Sequence, residues 1–122
     1  MDPHILLSLF HIFLVVPFFL YIAFQRSELP NWVFTAALVI GVVIGLYHGY
    51  KAMIRARVLS PNLWINVIHV LFVAPLLVYI GFMAKNTPRP AYELLAMVGF
   101  AALGYHLYSL ILSINSIQDH HD

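Results

Sequence analysis

Charged residues divide this chain into blocks. No Asp, Glu, Lys or Arg occurs from Pro3 to Gln25, Leu29 to Tyr50, Val58 to Ala84, or Leu94 to Gln118. Each block exceeds the roughly 20 apolar residues that cross a bilayer as a helix. The pattern predicts four transmembrane helices, over roughly 4–24, 31–54, 62–83 and 90–115. "SELP" and "NTPRP" are the turns, where prolines stop and restart helices, and Asn31 is the expected N-cap. The first block has only Asp2 before it and no small-x-small site after it, so it reads as a retained helix rather than a signal peptide.

Sliding the sequence along itself by 58 residues, from His11 to His69, exposes a tandem repeat. Pro3 falls on Pro61, Val15 on Val73, Pro17 on Pro75, Tyr21 on Tyr79, Pro30 on Pro88 and Gly41 on Gly99. Tyr47, His48 and Tyr50 fall on Tyr105, His106 and Tyr108, and no gap is needed. The expected fold is therefore all-α. It is an integral membrane four-helix bundle made of two homologous helical hairpins, 1–58 and 59–116, with a polar tail at 117–122. Two helices per repeat give both hairpins the same orientation, related by a pseudo-twofold along the membrane normal. Both termini and the 55–61 loop then share one side. Lys51, Arg55 and Arg57 flank that side, and Arg26, Lys85 and Arg89 flank the other. The balance is even, and the clustering of the first three favours cytoplasmic termini.

Composition narrows the class. Hydrophobic residues make up 62% of the 122 and charged residues 9%, too little polar surface for a soluble domain of this size. There is no cysteine, which excludes disulfides, thiolate metal sites and covalent c-type haem attachment. Net charge is +1 with no basic block, so nothing points to nucleic acid. The lipid bilayer is the expected partner, with a homo-oligomer and a redox or larger membrane-complex partner as further options. No serine–histidine–acid set, carboxylate pair or phosphate loop occurs, so enzyme activity is not expected beyond redox chemistry belonging to a cofactor.

The chemistry worth pursuing is histidine in the spans. At about 1.5 Å per residue, His11, His48, His69 and His106 all fall within about 10 Å of the termini-side surface, one per helix. Gly41 and Gly99 stand two turns deeper on the faces of His48 and His106, where they leave open space beside the ring. Ser8 and Asn66 precede His11 and His69 by three residues and suit the second ring nitrogen of a ligand. Tyr47 and Tyr105 adjoin His48 and His106. Pro17 and Pro75 should kink their helices and open a cavity.

Each feature also has a plainer reading. The tyrosines fit an interfacial aromatic belt. Gly41 and Gly45 form a small-xxx-small contact. A membrane histidine is most often a hydrogen bond between helices, and duplication makes four histidines only two independent observations.

Histidines on antiparallel helices with glycine near the ring resemble, in layout, the transmembrane b-type cytochromes. That resemblance implies haem b held by His11, His48, His69 and His106 as axial ligands, with electron transfer as the activity. The chain departs from the pattern in one respect: those cytochromes commonly stack haems in both leaflets, and here all four histidines share one. Chlorophyll, which needs one axial ligand, is a second tetrapyrrole option. Four imidazoles also suit a tetrahedral Zn or Cu site or a proton relay, as in a transporter or channel. A scaffold without cofactor is the last alternative. The paired signature "H-x5-P-x3-Y" and "G-x5-Y-H-x-Y" is also similar to small membrane proteins of large DNA viruses of algae, a resemblance that carries no activity.

Overall fold

The structure, a computed structural model, describes residues 2–121, with side chains through Asp119. The side chains of His120 and His121, in the expected polar tail, lie outside that description. All regular structure among the described residues is helical. Four stretches are long and apolar enough to cross a membrane: Pro3–Glu28, Asn31–Arg57, Leu63–Asn86 and Arg89–Asp119. Their outer surfaces are apolar too, with Phe13, Leu46, Leu71 and Phe82 each more than two-thirds exposed. That pattern suits lipid rather than water as the surrounding medium.

Helix α1 (residues 3–25) starts at Asp2, whose carboxylate accepts from the backbone N–H of His4. It carries a π-helical turn at His11–Val15. Helix α2 is Asn31–Arg57. Asn31, expected as its N-cap, is instead its first residue; Pro30 holds the cap position in extended backbone with no side-chain bond. A pyrrolidine ring fixes φ there and cannot continue a helix backwards, so it sets the boundary. Helix α3 (residues 63–83) has a second π turn, His69–Val73, and α4 is Arg89–His121. Residues 117–121, expected as a polar tail, continue α4.

The π turns explain what the two prolines do. Pro17 and Pro75 have no N–H to offer Phe13 and Leu71, and in a straight α-helix their rings would strike those carbonyls. Widening the preceding turn removes the clash. The N–H of Val16 reaches back to the carbonyl of His11, and that of Ala74 to His69. The expected kinks thus take the form of one inserted residue each, and each π turn begins at a histidine.

Contacts divide the chain into two compact units. One is Gln25–Tyr92, holding α2, α3 and the short 3₁₀ turns Arg26–Glu28 and Ala84–Asn86. The other pairs α1 with α4 from Glu93 onward. Each unit thus takes one helix from residues 1–58 and one from residues 59–122.

In the first unit the core lies toward the turns, where Val33, Ala37, Leu77 and Ile80 are fully buried. Arg26 and Ala84 have positive φ, 55° and 50°, which ends the preceding helix sharply. The Thr87 hydroxyl donates to the carbonyls of Ala84 (2.6 Å) and Ile80 (3.2 Å), and Tyr92 donates to Ala84 (3.4 Å). These bonds tie the turn to the end of α3, where the Ile80 carbonyl also accepts from the Ala84 N–H and the Ala84 carbonyl from the Thr87 N–H.

Helices α2 and α3 are closest near the turns and diverge away from them. A Cβ added to Gly81 would lie 2.5 Å from the backbone nitrogen of Leu38. At Gly41 the nearest atom would be 2.9 Å away, at Gly45 3.4 Å and at Gly49 4.0 Å. In the other unit, Gly99 lies against Leu20 and Phe19 of α1, and Phe24 meets Phe100 edge-on.

Candidate functional site

Where α2 and α3 diverge, two histidines occupy the widening space. The rings of His48 and His69 stack with centroids 4.0 Å apart and planes 16° apart. His69 donates from Nδ1 to the carbonyl of Ile65, one turn back, at 2.6 Å. His48 donates from Nδ1 across to Oδ1 of Asn66 on α3, at 2.9 Å. Asn66 is 2% exposed. Tyr47 meets His48 edge-on at 5.1 Å.

The unit of α1 and α4 holds a second pair. His11 and His106 stack with centroids 4.1 Å apart and planes 19° apart. His11 donates from Nδ1 to the carbonyl of Leu7 at 2.8 Å. Phe10 meets His11 edge-on, and Tyr105 meets His106 the same way. Ser8 is buried and His106 is 9% exposed. The numbering relates the pairs: shifting His11 by 58 gives His69, and shifting His48 gives His106.

Three hydrogen bonds fix ring chemistry. A carbonyl oxygen only accepts, so Nδ1 of His11, His48 and His69 must carry the proton. In a neutral imidazole the lone pair is then on Nε2. A metal-ligating histidine is usually held this way, its other ring nitrogen donating to a carbonyl, carboxylate or water.

The site residues expected from sequence fall as follows. All four histidines sit in pairs, each pair joining two helices. Asn66 does hold a ring nitrogen, but that of His48 on the facing helix rather than of His69 on its own. Tyr47 and Tyr105 flank their histidines and are 56% and 42% exposed, so they face outward. Gly41 and Gly99 border no open slot. Leu77 and Val78, backbone included, fill the space at Gly41, and Leu20 fills it at Gly99. Small residues there let helices approach, as in a small-xxx-small contact.

Sequence reasoning missed Gly81, the closest approach of all, because Ala23 occupies the matching position and no repeat signal marks it. It also missed the π turns, although a proline six residues after each histidine was the available sign.

The geometry limits the ligand. Stacked rings about 4 Å apart are already in van der Waals contact, so no macrocycle fits between the partners of a pair. Among the described residues no three His, Asp or Glu side chains gather to hold one ion. Each pair brings two imidazoles into stacking contact. No protein-family model, curated protein or solved structure matches this chain.

Proposed function

We propose that this chain is a four-span integral membrane protein, built from a duplicated hairpin, that holds metal through its two histidine pairs. The observation that carries this reading is the Nδ1 bonding of His11, His48 and His69, which places the lone pair on Nε2 within an apolar span. A Zn or Cu ion suits the pairs best. The stacked rings direct their lone pairs along separate, nearly parallel planes, so sharing one ion at metal–nitrogen bonds of about 2.0–2.1 Å would require one ring of the pair to turn. The remaining positions would be filled from outside the chain.

A tetrapyrrole, haem b or chlorophyll, is the second reading, favoured by the same Nε2 lone pair and by the layout of the spans. Bis-histidine haem within a pair does not fit the stacking. One axial bond from the outer edge of a ring is what the donor set allows, and it would give a five-coordinate haem with an open face. Helix-to-helix bonding without any ligand is the competing account, supported by the way each stack fills diverging helices.

One preparation separates the three. Metal analysis and an absorption spectrum of the purified protein should show about one Zn or Cu per pair and no Soret or strong red band. His48→Ala and His69→Ala should each remove one ion and leave the other. A Soret band moves the assignment to haem, and a strong red band to chlorophyll. Protein with neither metal nor pigment, unchanged by either substitution, leaves the histidines as interhelical contacts.

A further inference from the structure

Helix α2 ends in a bond pattern that usually carries glycine. The Ser60 N–H reaches back to the Arg55 carbonyl at 2.9 Å, and the Leu59 N–H to the Ala56 carbonyl at 3.3 Å. Glycine is the common residue at the position Leu59 occupies, because the backbone there takes a positive φ. Leu59 has φ 53°, a conformation that costs free energy in a residue with a Cβ. Its side chain gains no packing in return: it is 88% exposed, and Val58 beside it is exposed too. The loop is nevertheless well tied. Arg55 donates to the Asn62 carbonyl (3.3 Å), and the Asn62 N–H donates to the Ser60 hydroxyl oxygen (3.2 Å). Backbone strain and hydrogen bonds thus hold two apolar side chains outward. A strained residue kept in place with no contact of its own points to one outside the chain.

Charge identifies that contact. Lys51, Arg55 and Arg57 lead into the loop, and no Asp or Glu occurs between Leu29 and Tyr92. Within the unit Gln25–Tyr92 the only carboxylate is Glu28, before the opposite end of α2. The three cations follow His48 by three to nine residues, roughly 5–14 Å toward the surface at about 1.5 Å each. The chain then re-enters an apolar helix at Leu63 and Trp64, so the loop cannot stand far off the bilayer. Cations at headgroup level beside apolar side chains match an anionic phospholipid, with phosphate for the charges and upper acyl chain for Val58 and Leu59. We propose that the loop 58–62, with Lys51, Arg55 and Arg57, is a docking surface for anionic phospholipid, and that Leu59 is its inserted apolar anchor. This rests on the four-span reading above and not on metal.

The chain has no cysteine, so Leu59→Cys takes a single nitroxide label. The full-length labelled protein goes into vesicles of phosphatidylcholine, alone or with one-third phosphatidylglycerol. Relaxation by oxygen, which concentrates in lipid, against that by a water-soluble nickel chelate reports where residue 59 sits. The oxygen-to-nickel ratio should be several-fold higher with phosphatidylglycerol than without. Lys51→Gln with Arg57→Gln should cancel most of that difference, since each cation at an anionic surface is worth about fivefold in binding. Arg55 is kept because it ties the loop to Asn62. Val58→Cys carries the same test if the labelled Leu59→Cys protein does not fold. A label open to nickel in both lipids overturns the inference. So does an equal ratio in both, which means insertion without headgroup recognition, or a difference that survives the two Gln changes. A label shielded from both reagents also overturns it, since a protein partner or a second copy then covers the loop. Leu46→Cys, exposed at the middle of α2, is the control: if its label is open to nickel, the four-span reading falls first.

Discussion

An added methyl group at Gly81 would meet backbone on the facing helix: Leu38 N at 2.5 Å and Phe34 O at 2.7 Å. Backbone cannot swing away as a long side chain can. Gly81→Ala should therefore lower stability by about 1–3 kcal/mol, the usual range for overpacking. Gly104, with nothing within 4 Å of the same added atom, is the internal control. Gly104→Ala should be neutral or raise stability by up to about 1 kcal/mol, because alanine favours helix over glycine. Unfolding in detergent measures both, and equal losses would contradict the close approach of α2 and α3. Gly41→Ala should resemble Gly81→Ala, since its neighbours include the backbone nitrogen of Val78 at 3.0 Å. A glycine beside a histidine is ambiguous in sequence between a ligand slot and a helix contact. What decides it is a neighbour on another helix, which spacing along one helix does not report.

At the scale of elements, each π turn couples a proline to a histidine. Removing the proline removes the reason for the wide turn. Pro75→Ala lets α3 return to regular α-helix, and losing one residue of phase turns everything before it by about 100°. His69 would leave the face it shares with His48. If that pair holds metal as proposed, affinity there should fall about tenfold or more, while stability changes little, because α-helical bonding replaces the π turn. Metal titration against thermal unfolding checks the split; unchanged affinity would mean that the π turn persists without its proline. The helices themselves were legible in the sequence. Expected spans of 31–54 and 62–83 became Asn31–Arg57 and residues 63–83. Charge-free blocks and prolines mark those ends strongly. The phase slip within α1 and α3 was not legible, since the residues between each histidine and its proline are all apolar whichever way they face.

For the whole molecule, the cysteine-free sequence makes pairing directly testable. An added Cβ at Gly99 would lie 3.7 Å from that of Phe19, and one at Gly45 3.4 Å from that of Ala74. Both are near the roughly 3.8 Å of a disulfide. Gly99→Cys with Phe19→Cys, and Gly45→Cys with Ala74→Cys, should each cross-link on mild oxidation, read as a mobility shift on a non-reducing gel. Failure of both pairs would remove the two compact units. Topology tags at the N-terminus, the C-terminus and the 55–61 loop should report one face of the membrane, and tags at 26–29 and 85–89 the other. Termini on opposite faces would end the duplicated-hairpin account. The sequence led us to expect four histidines at one depth. It did not indicate which would meet, because partners lie on different helices, whereas the repeat relates His11 to His69 and His48 to His106.

Helix α4 has 33 residues, which at about 1.5 Å each come to roughly 50 Å, against roughly 30 Å of hydrocarbon. Even with a tilt, an apolar slab of that depth cannot hold it all. Ser113, Asn115, Ser116, Gln118 and Asp119 gather at the end that must protrude. The protruding turns form a stiff mast. Set in a bilayer, they would carry the end of α4 on the order of 10–15 Å above the lipid, where a flexible segment of the same length would collapse onto the headgroups.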